Sequence, residues 1–231
     1  TMDYLSEGRL EFGIGAGWIG AEYKAIGLPF DEFPERFSRF AEFVHAYKDF
    51  MSGEALEIAG QSINWSGFHG TPTPAQTPHP PLMIGGGSKK ILTFAGEQAD
   101  IVSLNFNNRA GMLGPDGMNS GLAGATAKKI DWVRQGAGER FEDIELEIGA
   151  YNTIITDHQQ ATAAAIGDAL GMSAQDILDH PHCLIGSIDF ICEQLLQRRE
   201  TYGISYIAVL DDGENNMVES FAPVVERLAG K

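Results

Sequence analysis

The feature that most constrains this chain is an alternation kept from one end to the other. Short apolar runs are separated by stretches whose apolar residues recur at spacings of three and four. That is the pattern of repeated βαβ units, a parallel sheet with helices outside it. Strands are expected at 9–15, 81–84, 101–104, 144–155 and 206–210. Helices are expected at 21–26, from Pro34 to a stop at Gly53, and at 89–97, 125–135, 159–170, 174–178, 187–202 and 216–228. The helix after Pro34 is the best marked, with Phe37, Phe40, Val44, Tyr47 and Met51 on one face. Residues 53–80 read as a proline-rich insertion loop with a small hairpin near 56–63, and residues 105–124 as a mobile glycine-rich loop, all within a single domain over 1–231.

Composition removes several classes of function. With 32 acidic residues against 16 basic ones the formal charge is -16, which repels phosphate backbones and anionic lipid heads, so neither nucleic acid nor a membrane surface is an expected partner. No apolar run approaches the roughly 20 residues of a bilayer span, and residues 1–7 lack the basic start and apolar run of a secretory signal. The two cysteines, Cys183 and Cys192, have no metal-ligand spacing and suit a reducing, cytoplasmic compartment. His180-Pro181-His182 brings no carboxylate or thiol pattern that would complete a metal site, and structural roles are expected for all six histidines. The 28 glycines among 231 residues, about 12% against an average near 7%, call for a particular explanation.

Two glycine clusters follow strands. Gly15-Ala16-Gly17-Trp18-Ile19-Gly20 satisfies G-x-G-x-x-G, whose glycines let a backbone approach a pyrophosphate. The dinucleotide version needs a full helix at once and an acidic strand end about 20 residues on, whereas Gly27-Leu28-Pro29-Phe30 interrupts the chain here. A ligand site and a plain structural turn both remain open, and Glu22 either caps the next helix or faces a ligand. Gly85-Gly86-Gly87-Ser88-Lys89-Lys90 joins a strand to a helix start, where amides without Cβ atoms, the helix dipole and two lysines favour a phosphate. It is no Walker A loop, and a capped tight turn with solvated lysines is the alternative.

At these residues the chain resembles a family. Residues 4–10 running into Gly13-Ile14-Gly15-Ala16-Gly17-Trp18 and Glu22-Tyr23, then Gly27-Leu28-Pro29-Phe30 and Arg36, are similar to the middle of luciferase-like monooxygenase-family proteins. Residues 74–81 before Ile84-Gly85-Gly86-Gly87, with Ala99-Asp100-Ile101-Val102 beyond, resemble the branch that uses the deazaflavin coenzyme F-420. Trp132, residues 137–141, Leu184-Ile185-Gly186-Ser187 and residues 222–225 extend the likeness over essentially the whole chain.

The resemblance implies a (β/α)8 barrel of which this chain holds strands four to eight, the stretch before Leu5-Ser6 being absent. It also implies an enzyme moving a hydride between F-420 and a small organic substrate. By position, Gly15, Gly17 and Glu22 would lie beside the cofactor, Gly85, Gly86, Gly87 and Ser88 would take its phosphate, and residues 100–104, with Asp100 and Ser103, would form the next wall. The catalytic acid or base is not identifiable from the chain. An FMN-dependent monooxygenase on the same scaffold and a non-catalytic barrel remnant are the alternatives, and homodimerisation through unpaired sheet edges is expected. Residues 53–73 and 105–124 would shape the substrate pocket.

Overall fold

Apolar runs of four to six residues without alternation are strands buried on both faces, the condition that makes a sheet parallel and helix-covered. In the computed structural model, which describes residues 1–109, 111–112, 114–211, 213 and 216–230, all five expected runs enter one parallel sheet. The chain runs α1 (Met2–Leu5), β1 (Phe12–Ile14), α2 (Gly20–Ala25), α3 (Phe33–Met51), the hairpin β2 (Leu56–Ala59) and β3 (Asn64–Phe68), β4 (Leu82–Gly86), α4 (Lys89–Gln98) and β5 (Ile101–Leu104). It continues with α5 (Pro115–Asn119), α6 (Ala123–Ala137), a 3-10 turn over Gly138–Asp143, β6 (Glu145–Ala150), β7 (Asn152–Ile155), α7 (Gln159–Leu170), α8 (Ala174–Leu178), β8 (Cys183–Gly186), α9 (Ile188–Tyr202), β9 (Ile204–Val209) and α10 (Met217–Leu228).

The main sheet has the order β1-β4-β5-β6-β9 with every pair parallel. One face carries Leu82, Ile84, Val102, Leu104, Leu146 and Ile148, which pack into a single core with Phe40 and Val44 of α3, Leu92 of α4 and Val133 of α6. The residues between them point the other way, because side chains alternate along a strand. The register aligns Gly85, Ser103, Glu147 and Tyr206 in one row across that second face. The sheet curls about this face far enough that Tyr206 Oη, on one edge strand, donates to Glu11 Oε2 beside the other at 3.2 Å.

Several expectations change. The strand expected over 144–155 is two strands: the Tyr151 and Asn152 amides both turn to His182 O, and β7 leaves the main sheet to pair with β8 in a separate parallel ribbon. β8 (Cys183–Gly186) itself went unexpected, although it is buried throughout as β5 is. The span 105–124 is not wholly loop, because α5 and the first two residues of α6 lie inside it; the part of it at 110 and 113 is outside the described residues. β4 runs through Gly85 and Gly86, so those two glycines are strand residues rather than turn residues. Of the expected (β/α)8 barrel, the main sheet supplies five parallel strands, open between β1 and β9 among the described residues. No helix among the described residues is long and apolar enough to cross a membrane.

Behind β8 the buried guanidinium of Arg198 closes a tight turn, donating to the main-chain oxygens of His180 (3.2 Å), Pro181 (3.0 Å) and Cys183 (2.8 Å). Those carbonyls have no water to turn to. Arg198→Met keeps the volume and removes every donor, so chemical denaturation should show a loss of about 2–4 kcal/mol. A loss under about 0.5 kcal/mol would show that the turn is held by its apolar packing instead.

Candidate active site at the carboxyl ends of the strands

In parallel α/β sheets ligands lie beyond the carboxyl ends of the strands, where loops and helix starts converge. Here a cavity of about 1580 Å³ occupies that position, lined by the residues following each of the five parallel strands: Gly15 to Trp18 after β1, Gly87 and Ser88 after β4, Asn105 to Arg109 after β5, Tyr151 and Asn152 after β6, and Leu210 after β9. Part of its wall is the concave second face of the sheet, with Gly13, Met83, Gly85 and Ser103.

The Gly15–Trp18 turn is held from below by Arg36. Its guanidinium donates to Gly17 O, to Ala16 O at 3.3 Å and to Asp31 O at 3.0 Å, and it lies 4.3 Å from the Phe30 ring centroid. Gly17 adopts the left-handed backbone (φ +73°), where a side chain would also strike the Tyr23 hydroxyl. Gly15 differs. Its backbone is ordinary and a Cβ there would come no nearer than 3.6 Å to Gly85 O, so the turn has room for a side chain at this position.

At the second glycine cluster the three residues have different tasks. A Cβ on Gly87 would sit 2.3 Å from Phe106 O, and one on Gly86 2.2 Å from the Ile91 side chain, so both glycines permit close packing of the β5 exit and α4 against β4. Gly85 clears the wall beside Asn105 and Ser103. None of the three has positive φ, and with two of them in the ladder the expected concave nest of successive amides is replaced by a simpler site, the start of α4. Ser88 caps that helix, its Oγ accepting from the Ile91 amide at 3.5 Å. The first turn holds Lys89 and Lys90 and no acidic residue. Two cations at the positive end of a helix dipole are an unfavourable pairing that an anion would relieve.

The wall beneath Asn105 is built from buried polar groups. Lys129, 2% exposed, donates to Asn105 O at 2.6 Å, and burial lowers its ammonium to about 8. His180 Nε2 donates to Met118 O at 3.2 Å while its Nδ1 accepts from the His182 amide at 3.2 Å, and His182 Nδ1 donates to Gly149 O at 2.8 Å. Burial drives His182 down to about 3, so it is neutral at any physiological pH. Both histidines back the cavity wall: the His182 ring stacks on Tyr151, and Phe106 packs edge-on against both imidazoles. Glu147, 5% exposed, has its carboxyl raised by burial, opposed by the adjacent Ser103 hydroxyl.

Of the residues expected to surround a cofactor, Gly15, Gly17, Gly85, Gly86, Gly87, Ser88 and Ser103 line the cavity together. Glu22 is exposed in the first turn of α2, outside the lining. Asp100 is at the opposite, amino-terminal end of β5, where its carboxylate accepts from the Leu82 amide at 2.8 Å and so joins the starts of two strands. Asn105 opens the 105–124 segment expected to shape the pocket, whereas Glu147 and Tyr151 were not anticipated. Alternation through Glu145, Glu147 and Gly149, opposite the apolar Leu146 and Ile148, is the signal that marks Glu147 as facing away from the helices.

The family model for luciferase-like monooxygenases matches residues 1–222. An FMNH(2)-dependent dimethylsulfone monooxygenase from Pseudomonas putida is 24% identical over 170 residues, 74% of this chain and 43% of that protein; the match spans less than half the length of that curated relative. Among solved structures, the coenzyme F-420-dependent tetrahydromethanopterin reductase from Methanopyrus kandleri has the same fold, with a TM-score of 0.72 at 17% identity over 98% of this chain and 75% of that one. An F-420-dependent secondary alcohol dehydrogenase has a TM-score of 0.67 at 13% identity, over 99% of this chain and 71% of its own. With a cavity at the strand ends and a family match running nearly end to end, the chain belongs to the luciferase-like monooxygenase family.

Proposed function

We propose that the chain serves a deazaflavin-dependent oxidoreductase, in which a hydride passes between coenzyme F-420 and a small organic substrate. The observation that supports this most is the convergence, in one large cavity, of a glycine turn with room for a ligand at Gly15 and an anion-favouring helix start that presents Ser88 and Lys90. A tricyclic ring on a phosphorylated chain needs that combination: a side-chain-free surface for the flat part and donors for the charged part. When bound, the ring supplies the redox chemistry. The residues of this chain bind and orient: Ser88 and Lys90 hold the phosphate, Gly15 and Gly85 admit the ring, and Asn105 with Tyr151 forms the polar wall. FMN is the second reading, favoured by the FMNH(2)-dependent relative.

Fluorescence titration with each cofactor separates the readings. F-420 should quench saturably and more tightly than FMN; tight FMN binding with no F-420 binding transfers the proposal to a flavin monooxygenase, and binding of neither favours a non-catalytic remnant or a fragment of a longer protein. Gly15→Leu projects a side chain from the turn, its Cβ in ordinary contact with Gly85 O at 3.6 Å, so it should weaken the bound cofactor at least tenfold, about 1.4 kcal/mol, while the melting temperature stays within a few degrees. Unchanged affinity would place the ring elsewhere.

We also propose a homodimer. β1 and β9 each leave one edge of the main sheet unpaired among the described residues, and the exposed apolar residues Met2 and Leu5 precede β1. Light scattering at micromolar concentration should give twice the 25.0 kDa chain mass; a monomer at that concentration rejects the proposal.

A further inference from the structure

One polar group on the cavity wall has a proton whose position follows from the heavy atoms alone. Tyr151 leaves the end of β6, is 37% exposed and lines the cavity. Its hydroxyl is hydrogen-bonded to Oδ1 of Asn105. On its other side the Asn105 amide nitrogen donates to Ser103 Oγ at 3.0 Å and to the Ser103 main-chain oxygen at 3.3 Å. A main-chain carbonyl only accepts, so the amide atom facing it is the NH2 group. The atom left facing Tyr151 is then the amide oxygen, which also only accepts. The hydroxyl proton of Tyr151 is thereby committed to Asn105.

The chain of donors continues in the same direction. Having accepted from Asn105, the Ser103 hydroxyl has its own proton free, and its neighbour across the strand pair is the Glu147 carboxyl. Two protons are therefore committed inward, from Tyr151 to Asn105 and from Asn105 to Ser103. The frame is rigid. The Asn105 main-chain N–H donates to Gly86 O at 2.9 Å and its main-chain carbonyl accepts from Lys129. The Tyr151 ring stacks on His182, with centroids 5.1 Å apart and planes within 6°, and meets Phe106 at 5.1 Å. What Tyr151 offers to the cavity is therefore a pair of oxygen lone pairs with no proton to give.

We propose that Tyr151 is an acceptor-only specificity residue, selecting ligands that bring an N–H or O–H donor to the carboxyl end of β6. Resting on the cofactor reading above, the donor on an oxidised flavin or deazaflavin is the N3–H, the ring N–H that the two share. A site built this way rejects an isostere lacking the donor by leaving a polar atom unpaired, which discriminates more strongly than a change of shape.

Paired titrations test it, with FMN against N3-methyl FMN and F-420 against its N3-methyl derivative. The wild-type chain should bind the unmethylated member at least tenfold more tightly. Tyr151→Phe should bind both members alike, with a loss of affinity confined to the unmethylated one. Discrimination that survives in Tyr151→Phe, or that is absent in the wild type, overturns the proposal. A ligand-free measurement decides it if neither cofactor binds, an outcome that would count against the cofactor reading alone. Donation to Asn105 stabilises the neutral phenol, and burial and the Glu147 charge already hold it above the ordinary tyrosine value. The tyrosinate absorbance assigned by difference from Tyr151→Phe should thus appear at lower pH in Asn105→Ala and in Glu147→Gln, with circular dichroism showing both variants folded. A midpoint unmoved in Asn105→Ala shows that the proton is not locked, and the proposal fails.

Discussion

A parallel sheet covered by helices on one side has a second face that must meet something else, and this constraint organises the molecule. Strand geometry sends alternate residues to opposite faces. Here the helix face takes Leu82, Ile84, Val102, Leu104, Leu146 and Ile148 into the core, while the opposite face takes Gly85, Ser103, Glu147 and Tyr206. A one-residue slip of any central strand would exchange these sets, putting a carboxyl under the helices and leucines in the cavity. Burying an ionised carboxylate without a partner costs several kcal/mol, so the register that makes the core also makes the site.

Asn105 is where the consequences meet. It is the residue after β5, and its main chain is tied to Gly86 on one side and to Lys129 of α6 on the other. Its side chain joins Ser103 to Tyr151. The position is reachable because Gly85 and Gly87 have no side chains: a Cβ on Gly85 would lie 3.2 Å from the Asn105 amide, and one on Gly87 2.5 Å from its carbonyl. The glycine cluster thus serves the packing of the site wall as much as any ligand. Lys129 is accepted in the interior because it satisfies a carbonyl that would otherwise be stranded, and its lowered ammonium value reflects that burial.

Much of this was legible in the sequence. Every strand of the main sheet lay within or beside an expected apolar run, and α7 and α8 have the expected bounds, because hydrophobic period and capping are local properties. The cavity residues around Gly15 and Ser88 were legible too, through backbone freedom and a helix start with two lysines. β8 was not: it is as short and as buried as β5, but it follows His180-Pro181-His182, which reads as a proline turn, and a short apolar run there has no period to set it apart. Asp100 was misplaced to the cofactor wall: its neighbours in sequence reach the cavity, but a strand of four residues separates the carboxyl end, where ligands sit, from the amino end, where Asp100 ties Leu82.

What the sequence alone determined is the class of fold, the family and the two glycine clusters, all set by residue type and spacing along the chain. Only the tertiary structure decided that Tyr151, Asn105 and Ser103 form one directed chain beside Glu147, and that His180 and His182 stand behind it as neutral supports. Those residues come from β5, β6 and the turn before β8, and their partners are chosen by register and by which atoms can donate. Neither is a property of any local stretch of sequence.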